Sequence, residues 1–308
     1  MKKVFIDGSV GTTGLRIYER LSARSDVQLL SLPENLRKDA SARKEILNSV
    51  DLAFLCLPDD AAREAVAMVE NPNVTIIDAS TAHRTLPDWA YGFPELSAKH
   101  EEKILSSKRI AVPGCHASGF IALVYPLIEA GILSKETLLT CHSLTGYSGG
   151  GKKMIAEYED ENRNPLFNAP RQYALSQQHK HLKEMKAITG IDEAPMFSPI
   201  VADFYSGMEV TVPLFAKQIN GGIEAIKKVY ASKYTSELVK YEESLDDGGM
   251  LSALALANKD SMKITVTGND ERILLLAVYD NLGKGASGAA IECMNMALGC
   301  EKTKGLEI

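Results

Sequence analysis

The chain has 308 residues and carries 34 Lys and Arg against 40 Asp and Glu, a net charge of −6. Hydrophobic residues at 45% and charged residues at 24% sit at the globular average, which excludes a disordered, collagenous or coiled-coil protein, and the length predicts two domains. The acidic balance argues against nucleic-acid or anionic-membrane binding and leaves a small molecule as the expected partner.

In chain order, short apolar runs at 3–7, 27–32, 52–57, 75–78 and 110–112 read as strands stopped by Gly, Pro or Asp. Helical spacing fills 11–23, 37–50 and 59–70, with Asp59 and Asp60 expected to cap the last of these. Strands alternating with helices at this pitch predict βαβ units and a parallel, Rossmann-like sheet. Asp7 and a glycine cluster stand where a secretory signal would be apolar, so a cytoplasmic protein is expected. A helix follows at 116–130. Its apolar run at 117–128 is too short for a membrane span and is interrupted by Pro126. Strand-like runs at 138–143, 198–204, 208–215, 263–267 and 273–279, with helices near 223–233 and 286–297 and a polar stretch up to about 193, predict an α+β second domain with a mixed or antiparallel sheet.

Directly after the first strand lies Gly8-Ser9-Val10-Gly11-Thr12-Thr13-Gly14, opening a helix. Glycines there permit a tight turn and close backbone approach, and free amides at a helix start attract a pyrophosphate. The second strand ends Leu30-Ser31-Leu32-Pro33, with Glu34 and then Arg37-Lys38 beyond the proline, so Ser31 and Arg37 are candidates for a 2′-phosphate; Arg37 and Lys38 read equally well as a solvated helix start.

Five cysteines, Cys56, Cys115, Cys141, Cys293 and Cys300, are odd in number and contain no C-x-x-C pair, which fits neither a disulfide framework nor a zinc ribbon. Cys115 stands apart, in Pro113-Gly114-Cys115-His116-Ala117-Ser118-Gly119 between a strand end and a helix start, where the helix dipole favours a thiolate. Cys56, Cys293 and Cys300 read as packing, and Cys141 can face either way. A thiolate beside a nicotinamide points to hydride transfer at a thioester or hemithioacetal. That chemistry needs an acid/base, sought in Gln178-His179-Lys180-His181-Leu182-Lys183-Glu184. His179 and His181 share a site only where the chain is extended or turned, His181 and Glu184 can share a helix face, and no third cluster makes a metal site. Further polar candidates are Arg84 in Asp78–Arg84, Ser148 in the glycine-rich 146–152 turn, and Asn281, which either holds the nicotinamide amide or caps a turn.

These segments together resemble the N-acetyl-gamma-glutamyl-phosphate reductases of arginine biosynthesis, in their shorter, type 2 form. The most specific are 77–96, Pro-Gly-Cys-His-Ala-Ser-Gly-Phe at 113–120 and Asn-Leu-Gly-Lys-Gly-Ala-Ser-Gly-Ala-Ala at 281–290. The resemblance implies an NADP-binding domain at 1–114 with 285–308, to which the last helix returns, and a catalytic and dimerisation domain at 115–284. It implies Cys115 as nucleophile and His179 as acid/base, with Tyr173, His181 and Glu184 near the substrate and Arg84 and Ser148 on segments near substrate or phosphate. It also implies NADPH as cofactor, an acyl phosphate as substrate and a homodimer or homotetramer. An aspartate-semialdehyde dehydrogenase or another acyl-phosphate reductase of the same architecture shares the cysteine logic, and a non-catalytic NADP-binding regulator is the alternative of a different class.

Overall fold

The structure, a computed structural model, describes residues 1–308. It divides into two compact units, Met1–Pro113 with Ala286–Leu306, and Gly114–Gly285 with Glu307–Ile308. No helix is long and apolar enough to cross a membrane.

The first unit runs β1 (Lys2–Asp7), α1 (Thr12–Ser22), β2 (Val27–Leu30), α2 (Ala40–Ser49), β3 (Leu52–Leu55), α3 (Asp59–Ala67), β4 (Thr75–Asp78), β5 (Ala90–Tyr91), α4 (Ala98–Ser106) and β6 (Arg109–Ala111). Its six strands lie in the order β2-β1-β3-β4-β6-β5, every pairing parallel. The chain steps outward from β1 to β2 and then crosses to β3, which makes the carboxyl ends of β1 and β3 the switch point where such sheets bind ligands. Alternating side chains feed two cores. Val4, Ile6, Phe54, Ile77 and Ile110 pack with Ala290, Ile291 and Met294 of the chain's last helix; Phe5, Ala53, Ile76 and Ala111 pack with Leu47, Ala62 and Ala65.

Two local expectations fail in this unit. Asp59 and Asp60 lie in the first turn of α3 but do not cap it: the N-cap is Pro58, Asp59 accepts from the Thr81 amide at 2.9 Å and from its hydroxyl, and Asp60 pairs with Arg63. The helix expected from residue 37 begins instead at Ala40, where Asp39 accepts from the Ala42 amide at 2.7 Å and acts as the cap.

The second unit runs α5 (Cys115–Glu129), β7 (Thr140–Gly146), α6 (Gly151–Glu159), β8 (Arg171–Gln172), α7 (His181–Thr189), β9 (Met196–Ala202), β10 (Met208–Phe215), α8 (Gly222–Lys233), β11 (Val239–Tyr241), β12 (Met262–Gly268) and β13 (Arg272–Tyr279); after a π-helical turn at Gly283–Ser287 the chain's last helix, α9 (Gly288–Ala297), belongs to the first unit. The seven strands form a mixed sheet in the order β11-β12-β13-β10-β7-β9-β8. Strand β10 alternates buried and part-exposed residues along its length, Val210, Val212 and Leu214 inward and Glu209, Thr211 and Pro213 outward, the pattern of a sheet with one covered face. Helix α5 lies on the covered face against β10 and β13 and is buried on almost every side. Pro126 cannot donate to the Ala122 carbonyl, and that carbonyl is instead satisfied by the Tyr234 hydroxyl at 2.6 Å, while Tyr230 donates to the Leu123 carbonyl at 2.6 Å.

Candidate active site

Cys115 is the first residue of α5. Its N-cap, Gly114, has extended backbone and supplies no side chain, so the orphan amides of the first turn are left for other partners. One of those partners comes from α7: Glu184 Oε1 accepts from the Gly114 amide at 2.8 Å, and the carboxylate is 2% exposed. A second feature sits inside the turn. The Tyr279 hydroxyl accepts from the Gly119 amide at 3.0 Å and donates to the Cys115 carbonyl at 2.6 Å, standing between the two groups that would otherwise meet in the helix ladder. Only glycine suits position 119, where an added Cβ would lie 2.7 Å from that hydroxyl.

Around this turn the unit gathers three histidines. His116 is buried between β7 and the segment after β8, its Nδ1 2.6 Å from Ser143 Oγ and its Nε2 2.6 Å from the Tyr173 hydroxyl. His179 lies edge-on to His181 with ring centres 4.6 Å apart, and 5.8 Å from the His116 ring. The chain is turned at 179–180 and becomes helical only at His181, which is what brings residues i and i+2 together. The His181 amide donates to His179 Nδ1 at 3.2 Å, which makes that nitrogen an acceptor. Burial and the neighbouring His179 push the His116 ring down to about 3, so it is neutral at working pH.

The other cysteines differ from Cys115 in surroundings. Burial, Asp78 and Asp7 push the Cys56 thiol up to about 12, and burial raises Cys141, which is fully enclosed, further still. Cys293 is buried with its sulfur 3.6 Å from the Gly92 carbonyl, and Cys300 is half-buried beside Arg24 and Asp26.

In the first unit, the glycine turn follows β1 as expected. Gly8 has φ +88°, and a Cβ there would fall 2.2 Å from the Cys56 carbonyl oxygen; at Gly14 it would fall 2.4 Å from the Gly8 carbonyl oxygen. Buried Asp7, just before the turn, is paired with Arg43 of α2 at 2.8 Å. Beside the turn opens a cavity of about 430 Å³, within the range of small-molecule sites, whose walls include Gly8, Ser9, Ser31, Glu34, Arg37 and Lys38. A dinucleotide fits what is present: α1 begins at uncapped Gly11 with no acid in its first turn, and Thr12 Oγ1 is buried without a hydrogen-bond partner. Ser31 and Arg37 share that cavity with the carboxylate of Glu34.

Three predicted residues are tied into the fold. Arg84 is buried, its Nε on the Val112 carbonyl at 2.8 Å and its Nη2 on the Ala79 carbonyl at 3.0 Å. The segment leading to it is held by Asp78, which accepts from Ser80 Oγ and meets His83 Nδ1, both at 2.6 Å, while His83 stacks on Trp89. Ser148 is buried and accepts from Asn281 Nδ2 at 2.9 Å, and Asn281 Oδ1 accepts from the Gly207 amide at 2.9 Å. Sequence reasoning passed over His116, Ser143, Tyr279 and Arg43. Adjacency to Cys115 was the available signal for His116; nothing in the local pattern marks the other three.

A parallel sheet with a glycine turn at its switch point, and a helix-borne cysteine among histidines in a mixed-sheet unit, define the semialdehyde dehydrogenase class. Two models of that class match the chain, the semialdehyde dehydrogenase NAD binding domain over residues 25–104 and the dimerisation domain over residues 115–281. The relatives are more specific. The N-acetyl-gamma-glutamyl-phosphate reductase of Sinorhizobium medicae is 46% identical over 96% of this chain and 98% of its own, and N-acetyl-gamma-glutamyl-phosphate reductase 2 of a Nostoc species is 43% identical over 99% of both. The chain belongs to the N-acetyl-gamma-glutamyl-phosphate reductase family. Among solved structures, the aspartate semialdehyde dehydrogenase of Francisella tularensis superposes with a TM-score of 0.71 at 15% identity, covering 96% of this chain and 99% of that one. The Candida albicans enzyme, solved with NADP, gives 0.68 at 16% identity, covering 97% and 99%. At these identities the likeness is one of fold.

Proposed function

We propose that the chain reduces N-acetyl-L-glutamyl 5-phosphate with NADPH to N-acetyl-L-glutamate 5-semialdehyde and phosphate, a step of arginine biosynthesis. The observation that carries this reading is the thiol of Cys115 at an uncapped helix start in the same unit as His179, His181 and Glu184, in a chain 46% identical to a reductase of that name.

The Cys115 thiolate adds to the acyl carbon, and the bond from that carbon to the phosphate oxygen breaks, leaving a thioester on Cys115. Held beside Gly8, Ser9, Ser31 and Arg37, NADPH would supply the hydride that reduces this thioester. The resulting hemithioacetal collapses with cleavage of its carbon–sulfur bond, releasing the aldehyde and restoring the thiolate. His179, through Nε2, exchanges the proton on the reacting oxygen, and first-turn amides of α5 stabilise the developing oxyanion. Tyr173 and His181 are assigned to the substrate; Arg84 and Ser148, already engaged within the fold, to holding in place the segments that meet its anionic groups; Gly8, Ser9, Gly11, Thr12, Thr13, Gly14, Ser31 and Arg37 to NADPH. Asn281, with both ends of its amide engaged, is assigned to holding Ser148 in place of the nicotinamide role the sequence offered.

A homodimer is the assembly we favour: one face of the second unit's sheet, with Thr211, Pro213 and Leu274, is left part-exposed, and the model matching this unit is a dimerisation domain. Five free thiols suit the cytoplasm. The test is phosphate-dependent oxidation of N-acetyl-glutamate semialdehyde by NADP. Activity that vanishes in Cys115→Ala is expected; preference for aspartate semialdehyde, or turnover without added phosphate, overturns the assignment. Light scattering that finds a monomer overturns the dimer.

A further inference from the structure

We infer that His116 and Ser143 set the hydrogen-bonding sense of Tyr173, so that the tyrosine presents its hydroxyl proton to the reacting atoms at Cys115. This rests on the reading of Cys115 as the nucleophile and adds two positioning residues to it.

A neutral imidazole carries one N–H and one lone pair, so a ring held between two hydroxyls has two arrangements. In one, Tyr173 donates to Nε2 and Nδ1–H donates to Ser143; the serine proton must then find a further acceptor. In the other, Ser143 donates to Nδ1 and Nε2–H donates to the Tyr173 oxygen; the tyrosine proton is then free to point away from His116. Burial decides between them. Ser143 is 0% exposed and makes its side-chain hydrogen bond to His116, so the first arrangement strands a hydroxyl proton in the interior, at a cost of about 1–3 kcal/mol. Tyr173 is only part-buried, and its hydroxyl, 2.6 Å from His116 Nε2, sits beside the chain neighbour of Cys115, whose sulfur charge bears on the phenol. Burial and that charge raise Tyr173 far above its ordinary value, so it stays protonated and remains a donor. The charged or titratable side chains facing His116 are His179, His181 and Tyr173, and Cys115 is its chain neighbour. Burial keeps the imidazole neutral among them.

The test is a double-variant cycle on kcat in the full chain, begun once wild-type turnover and its loss in Cys115→Ala are established; absence of wild-type turnover would instead defeat the function itself. Tyr173→Phe is expected to lower kcat about a hundredfold, the scale of a lost donor to a developing oxyanion. In His116→Gln the side-chain amide reaches the Nε2 position and donates to Tyr173, and kcat is expected to hold within a few fold. In His116→Asn the shorter amide reaches only the Nδ1 position, and kcat should fall to the Tyr173→Phe level. The double variant His116→Asn/Tyr173→Phe should be no slower than either single variant, because both remove the same proton. Equal losses in the Gln and Asn variants, or losses that multiply in the double variant, would mean that His116 is merely structural and would overturn the inference. Should the His116 variants fail to fold, Ser143→Ala completes the cycle with Tyr173→Phe: a kcat lowered alone and unchanged in the Phe background supports the inference, and full kcat in Ser143→Ala refutes it.

Discussion

Replacement of Glu184 separates two roles that the sequence leaves merged. The resemblance places this residue near the substrate, whereas the structure spends one carboxylate oxygen on the Gly114 amide at 2.8 Å, immediately before Cys115, the proposed nucleophile. A hydrogen bond to a charged acceptor contributes about 1.5–3 kcal/mol, and stranding the buried amide brings the loss in Glu184→Ala to roughly 2–4 kcal/mol. For a unit of this size that corresponds to a fall of about 5–10 °C in Tm. Glu184→Gln keeps an oxygen acceptor in the same place and should lose only the charge assistance, about 1 kcal/mol. The Ala variant also frees the start of α5, and a displacement of about 1 Å at the sulfur is worth a hundredfold in rate. Scanning calorimetry gives the stability, and the rate of iodoacetamide reaction at Cys115 gives the nucleophile's placement without any substrate. Expected are a low Tm and an altered alkylation rate in Glu184→Ala, with both largely restored in Glu184→Gln. A Glu184→Ala protein with wild-type Tm and alkylation rate but a raised KM would refute the tether and return Glu184 to the substrate.

The thiols should separate by reactivity: with Cys56 raised to about 12 and Cys141 higher, limiting iodoacetamide at neutral pH should label Cys115 before either, and peptide mapping that finds the reverse order would defeat the thiolate argument. His116 gives a signed pH effect. Its native value of about 3 lies below the ordinary 6.5, so the unfolded chain binds a proton first, and the associated stability, complete above about pH 6.5, is lost as pH falls toward 3. Between pH 7 and 4.5 that amounts to about 2.5 kcal/mol, and urea melts of His116→Asn should lose that much less than wild type over the interval; equal losses would contradict it. Arg43→Met should strand the buried Asp7 carboxylate ahead of the glycine turn and cost about 3–5 kcal/mol. Weaker NADPH binding by titration calorimetry should accompany it, and unchanged stability would show that the pair does not support the turn.

How far the sequence was legible depended on whether a buried face was apolar. Strands β1 and β4 and the long strand β10 appear within a residue of their expected bounds, because their inward side chains are Val, Ile, Phe and Leu. Helix α5 was equally plain, being apolar nearly all round. By contrast, the polar stretch up to 193 hides two helices. Helix α7 buries His181, Glu184, Met185 and Thr189, so the face it turns inward is mostly polar and leaves no hydrophobic period to read. Helix α4 buries only Ile104, and β5 is two residues long; both take their place from neighbours rather than from their own pattern.

The same physics explains why α7 matters to the site and was hard to see. A helix that delivers His181 and Glu184 to the head of α5 must bury hydrogen-bonding groups where an ordinary helix buries leucine, and the partners that make this tolerable lie far away in sequence: Gly114 for Glu184, 70 residues distant. His116 follows the same rule with Ser143 and Tyr173, and Tyr279 with Cys115 and Gly119, 164 and 160 residues away. Motif reading singled out Cys115, and placed it at a helix start as the structure does, because that setting is local. The groups that orient it were not legible as a pattern because each is acceptable in the interior only through a contact that folding creates.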